Sequence, residues 1–89
     1  MGNLLEIDAL DTLIKAVNEY QEKLEVNKKI LLNAADVCDQ AMGSDDIVKK
    51  HLANLQVAML ELNKTSQIVS DVTEALISDR NLAVSVLED

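Results

Sequence analysis

The stretch Ala41-Met42-Gly43-Ser44-Asp45-Asp46 is the one place in the chain where a helical pattern is interrupted. Gly43 can adopt the left-handed conformation that ends a helix, and Ser44 is a good N-cap for the next one. The two aspartates that follow suit the first turn of a helix, where the helix dipole is positive. We therefore interpret Gly43 and Ser44 as a turn between two long helices, at about residues 4–42 and 45–87.

The composition favours helices along the whole chain of 89 residues. Hydrophobic residues make up 48%, proline is absent, and Tyr20 is the only aromatic residue. Such proline-free chains, rich in Leu, Ala, Glu and Lys, are typical of helical proteins. We predict one all-α domain over residues 1–89, in which two long antiparallel helices form a helical hairpin.

The net charge is −8 at pH 7, and the sequence places it at one end of the predicted hairpin. Residues 1–22 contain five acids and one Lys, and residues 66–89 contain five acids and one Arg. Residues 23–65 contain six acids and six bases. Nucleic acids and anionic membranes bind to basic faces. We therefore expect neither of them as a partner.

The apolar residues of both helices recur with a heptad period, which is typical of paired helices. In helix 1 a first row starts at Leu10, and a second row runs from Leu13 through Tyr20 but meets a polar residue at Asn27. In helix 2 the row starts at Val48. The predicted hairpin core is Leu10, Leu13, Val17, Tyr20, Leu24, Leu31, Leu52, Leu55, Met59, Leu62, Val69 and Leu76.

The second half of helix 2 departs from this pattern, because Ser66, Thr73 and Arg80 occupy core positions. Beyond the polar residues 63–67 we expect the apolar row to rotate onto a neighbouring line. That line is Ile68, Val72, Ala75, Leu82 and Val86. The rotation can follow from the mismatch between the helical period and a strict heptad. Alternatively, this half of helix 2 contacts something other than helix 1.

Both helices carry more apolar residues than a single helix–helix contact needs. The predicted partner interface is Ile14, Ile30, Val37, Met42, Val57, Leu60, Ile77 and Val84. Two helices alone rarely bury enough surface to be stable. We therefore expect the hairpin to pair into a four-helix bundle, either with another helical protein or with itself as a homodimer.

The sequence offers little for catalysis, since it contains one His, one Cys and one Tyr. Cys38 and His51 flank the turn, and either a nucleophile pair or, with nearby aspartates, a metal site can be imagined there. Cys38 lies on a core row, where cysteine behaves as a small hydrophobic residue, and His51 suits a solvated face. We predict no catalytic residue, no cofactor and no metal site.

These features together resemble a known group, the small WXG (Trp-x-Gly) helical hairpins of type VII secretion and the related helical partners of LXG-domain toxins. Members of that group carry Trp-x-Gly at the turn and a Tyr-x-x-x-Asp/Glu export element late in the second helix. Here Gly43 is present with Ala41 at the Trp position, and Asp79 is present with Ala75 at the Tyr position. The resemblance implies a secretion-associated partner or chaperone that pairs with an LXG toxin or a sister hairpin.

Other functions stay open beside this expectation. A homodimeric four-helix-bundle scaffold or adaptor without a secretion role is the main alternative, and a needle-type subunit or its small chaperone is another. We expect no enzyme. The chain starts without a charged-then-apolar leader, so we predict a cytoplasmic protein. Export with a partner, by a route that needs no signal peptide, is the alternative location.

Overall fold

A computed structural model of the protein describes residues 4–42 and 46–88, except for the side chains of residues 41 and 42. The described residues form two helices, α1 (Leu4–Met42) and α2 (Asp46–Glu88), and no strand occurs among them. The helices pack against each other as a hairpin, which confirms the predicted fold class. The predicted turn at Gly43 and Ser44 lies outside the described residues.

Contacts within the hairpin define two compact units, and each is built from both helices. The terminal unit comprises Met1–Glu22 and Gln67–Asp89. The central unit comprises Lys23–Ser66. The first unit therefore holds the two acidic segments of the sequence, and the second holds the electrically balanced one.

The least exposed side chains of each helix follow one row, which we call the seam. Successive seam residues are separated alternately by three and four positions, as in a coiled coil. On α1 the seam is Ile7, Leu10, Ile14, Val17, Gln21, Leu24, Lys28, Leu31, Ala35 and Cys38. On α2 it is Val48, Leu52, Leu55, Met59, Leu62, Ser66, Val69, Thr73, Leu76, Arg80 and Ala83.

The seam of α1 corrects the sequence-based core at two positions. Leu13 and Tyr20 were predicted in the core, but their exposed fractions are 48% and 50%. The inward positions belong instead to the residues that directly follow them, Ile14 and Gln21. Both rows have the same period, so periodicity alone cannot choose between them. The polar Gln21 and Lys28 made the true row look the less apolar of the two.

The seam of α2 also differs from the prediction, because it does not rotate. Ser66, Thr73 and Arg80 keep their seam positions. Thr73 fits there because its Oγ1 donates a hydrogen bond of 2.8 Å to the carbonyl of Val69. The five residues expected to take over the row are all exposed, namely Ile68, Val72, Ala75, Leu82 and Val86.

The seam forms a thin core. Ile7, Leu24 and Ala83 are the buried hydrophobic residues of the described chain, with exposed fractions of 8%, 4% and 6%. No described side chain is less than 2% exposed. The remaining seam residues are half-buried, because each helix covers only one side of the other.

Candidate interaction surface

In the terminal unit, an apolar row lies beside the seam on each helix. Every residue of these rows is exposed. Each directly precedes a seam residue, except Val86, which continues the α2 row beyond Ala83, the last seam residue. The rows are Glu6, Ala9, Leu13, Ala16 and Tyr20 on α1, and Ile68, Val72, Ala75, Asp79, Leu82 and Val86 on α2. At 100° per residue, the six positions on α2 fall within an arc of about 80°.

The two rows lie on the same side of the terminal unit. Each is turned by one residue, in the same rotational sense, from the seam of its own helix. Two antiparallel helices are related by a two-fold axis perpendicular to them, so equal rotations bring both rows to one side. We call this surface the apolar side. Nine of its eleven positions are apolar, and the other two are Glu6 and Asp79.

The opposite side of the terminal unit consists of the residues that directly follow a seam residue, and we call it the polar side. Nine of its eleven positions are polar or charged. They are Asp8, Asp11, Lys15, Asn18, Glu22, Gln67, Ser70, Glu74, Ile77, Asn81 and Val84. The terminal unit therefore has two different sides, with mostly polar or charged residues on one flank of the seam and mostly hydrophobic residues on the other.

An ion pair links the two helices at the polar side. Nε of Arg80 donates a hydrogen bond of 2.6 Å to Oδ1 of Asp11, and the side chains are 37% and 47% exposed. This hydrogen bond and the negative charge of Asp11 raise the pKa of the Arg80 guanidinium above its usual value. Arg80 occupies a seam position, but its guanidinium extends to the polar side, where Asp11 lies. Long basic side chains commonly place their charged group at the surface in this way.

Asp79 occupies a contrasting position on the apolar side. It is exposed, and its carboxylate forms no hydrogen bond or ion pair with another described residue. Its neighbours along the row are Ala75 and Leu82. Ala75 and Asp79, which the sequence placed at the export-element positions, thus lie one turn apart on the same surface.

The predicted partner interface is not gathered on one surface. Ile14 and Val84 are half-buried, and the side chain of Met42 lies outside the described residues. Five others are exposed, with fractions from 42% to 65%: Ile30, Val37, Val57, Leu60 and Ile77.

The central unit shows how this set is divided. Ile30 directly precedes a seam residue, whereas Leu60 directly follows one. The two side chains therefore lie on opposite flanks of the seam. Val57 lies two positions from the nearest seam residues and points away from both flanks.

The candidate residues for catalysis or metal binding in the sequence are Cys38 and His51. Cys38 is a half-buried free thiol on the seam, and His51 is exposed. Within residues 4–42 and 46–88, no three His, Cys, Asp or Glu side chains come together as a metal site. In the same ranges, neither helix contains an apolar stretch that could cross a membrane.

Comparisons with family models, with curated proteins and with solved structures gave no match for this chain.

Proposed function

We propose that this chain is a non-catalytic interaction protein that pairs with another helical protein in a four-helix bundle. The observation that carries the proposal is the amount of exposed hydrophobic side chain. Among the described residues, seventeen large hydrophobic residues are between 42% and 82% exposed, and three hydrophobic residues are buried. Isolated exposed hydrophobic residues are ordinary, but long rows of them at helical spacing mark a surface that needs a partner.

The accessible surface supports the same conclusion. It measures 6614 Å² for a chain of 9.8 kDa. A compact monomer of this mass typically exposes about 5200 Å². A standard protein–protein interface covers about 800 Å² on each partner. The accessible surface of this chain thus exceeds that of a compact monomer by more than the area that one such interface covers.

Within this class we propose a secretion-associated role, as partner or chaperone of a sister hairpin or of a toxin's helical N-terminal domain. The helical hairpin supports this role, together with the retained Gly43 and Asp79. Because Ala41 and Ala75 stand where the family has aromatic residues, the partner would supply the export signal. The protein would be made in the cytoplasm and leave it only with that partner.

Co-expression with the product of a neighbouring gene tests the proposal. We expect a stable complex whose mass by light scattering exceeds that of either component. A well-folded monomer of 9.8 kDa that captures no co-expressed product would contradict the proposed function.

A second candidate is a homodimeric scaffold, and the central unit favours it. That unit contains equal numbers of acids and bases, so two copies would meet there without net repulsion. It also exposes Val26, Ile30 and Leu60, each by more than half. A particle of twice the chain mass that persists in the presence of the co-expressed product would favour the scaffold over the partner protein.

A further inference from the structure

We propose that the apolar side of the terminal unit binds a helix that carries a hydrophobic stripe flanked by Lys or Arg, with one basic group placed against Asp79. This inference rests on the proposed function and specifies the chemistry of the partner. It concerns one surface of one unit, and a partner could pair with the protein elsewhere.

The dimensions of the apolar side fit a helix. On α2 the row extends from Ile68 to Val86, which corresponds to about 27 Å, or five turns, at 1.5 Å per residue. The row on α1 lies along the same side, so a helix docked there would contact residues of both helices. A hydrophobic stripe with helical spacing commonly binds to apolar surfaces formed by helices.

Asp79 determines the charge of the occupant. It lies within the arc formed by its row, with apolar positions on both sides of it around the helix and before and after it along the helix. A helix docked on the row would remove the carboxylate from water. An unpaired carboxylate in such a place strongly disfavours binding, whereas a basic partner group satisfies it. The carboxylate has no described partner within the chain and is therefore available for one.

The same charges argue against a second copy on this surface. A symmetric contact would bring two terminal units together, and each carries the whole net charge of −8. The terminal unit holds two basic side chains, Lys15 and Arg80. Lys15 lies on the polar side, and Arg80 is bonded to Asp11. A second terminal unit therefore brings no free base to Asp79.

Fluorescence anisotropy of labelled model peptides, with the full-length protein, tests the inference. One probe is an amphipathic helix of about five turns with a Leu stripe flanked by Lys, and the other has Glu in place of each Lys. We expect the Lys-flanked peptide to bind and the Glu-flanked peptide to bind at least about tenfold more weakly.

A matched pair of variants separates specific from general attraction. Asp79→Lys and Glu74→Lys change the net charge equally, but position 74 lies on the polar side, about 140° around α2 from position 79. We expect Asp79→Lys to lower the affinity for the Lys-flanked peptide about tenfold and to raise the affinity for the Glu-flanked peptide. Glu74→Lys should change either affinity by less than about threefold. Circular dichroism should show equal helicity for the two variants.

Three results would overturn the inference. Equal losses in the two variants would mean that the peptide responds only to net charge. Failure of the wild-type protein to bind the Lys-flanked peptide would exclude the surface as a site for such helices. A dimer that Leu82→Asp converts to a monomer would give the surface to a second copy. None of these results contradicts the proposed function, which fails only if no co-expressed product is captured.

Discussion

The terminal and central units share one seam pattern but differ in what surrounds it. In the terminal unit, the positions that precede the seam are apolar except at Glu6 and Asp79. In the central unit, the corresponding positions mix both kinds: Lys23, Asn27, Ile30, Ala34 and Val37 on α1, and Ile47, His51, Asn54, Ala58, Glu61 and Thr65 on α2. The terminal unit also carries the net charge, and the central unit is neutral.

We infer that the seam, which both units share, supports folding, and that the residues beside it, which differ, support recognition of a partner. Both units tolerate a basic residue in the seam, since Lys28 pairs with Glu25 at 3.3 Å much as Arg80 pairs with Asp11. The seam therefore has the same pattern in both units, and the residues beside it decide which unit has a one-sided surface.

The largest effect is expected from a charge in the seam. Among the described residues, Leu24, which is 4% exposed, is the most buried of the central unit, and Ala83, which is 6% exposed, is its counterpart in the terminal unit. We expect Leu24→Asp and Ala83→Asp each to lower the free energy of unfolding by at least about 3 kcal/mol, because each buries an unpaired carboxylate. Urea unfolding followed by circular dichroism measures the loss.

Val26→Asp is the control for this experiment, because Val26 lies two residues from Leu24 but is 56% exposed. It should change the free energy of unfolding by less than about 0.5 kcal/mol. If Leu24→Asp unfolds the protein and Ala83→Asp does not, the seam is not equivalent in the two units.

A smaller effect, on binding rather than folding, should distinguish the flanks. Leu82 is 65% exposed in the terminal unit and Ile30 is 58% exposed in the central unit, and each directly precedes a seam residue. We expect Leu82→Asp to weaken binding of the Lys-flanked peptide more than about tenfold, because it replaces a hydrophobic contact of the apolar side with a charge. Ile30→Asp should lower the affinity for this peptide less than about threefold, because the row around Ile30 contains both polar and apolar residues.

Thermal melts should show that these two variants are as stable as the wild-type protein, since both positions are exposed. Equal loss of peptide affinity would remove the distinction between the units and extend the binding surface to the central one. It would also support the sequence-based placement of Ile30 in a partner interface.

The fold was predictable because its signals are local. The helix break at Gly43, the absence of proline and the heptad period together specify two helices and a hairpin. The seam was harder to assign, since the rows through Leu13 and through Ile14 have the same period and differ by one residue. Only the packing against α2 distinguishes them.

The sequence shows apolar rows at the candidate surface, but their period predicts them as core. Leu13 and Tyr20 of the α1 row fit a second seam, and the apolar residues of the α2 row fit a seam that rotates beyond the polar residues 63–67. The α2 row is exposed because the seam keeps Ser66, Thr73 and Arg80 and does not rotate. Their placement depends on side-chain contacts that the hydrophobic pattern of the sequence does not show. Arg80 is accommodated because Asp11, 69 residues away in sequence, accepts its hydrogen bond.

The smallest effect is expected at that ion pair. Arg80→Gln removes a hydrogen bond between the helices, whereas Lys28→Gln in the central unit removes a pair within one helix. We expect Arg80→Gln to lower Tm slightly, and Lys28→Gln to lower it less, because partly exposed pairs are weakened by solvent and salt. Concentrated salt should reduce the difference between wild-type protein and Arg80→Gln.

The pH dependence of this effect follows from the sign of the shift. The pKa of Arg80 is raised in the folded protein, so its contribution is complete below the unfolded value and is lost only as pH rises through the folded one. Both values lie above the working range of proteins. The difference in Tm should therefore stay constant from about pH 6 to about pH 10, since arginine remains charged throughout. A difference that shrinks steadily over this range would mean that the stabilisation at this site does not come from the charged guanidinium.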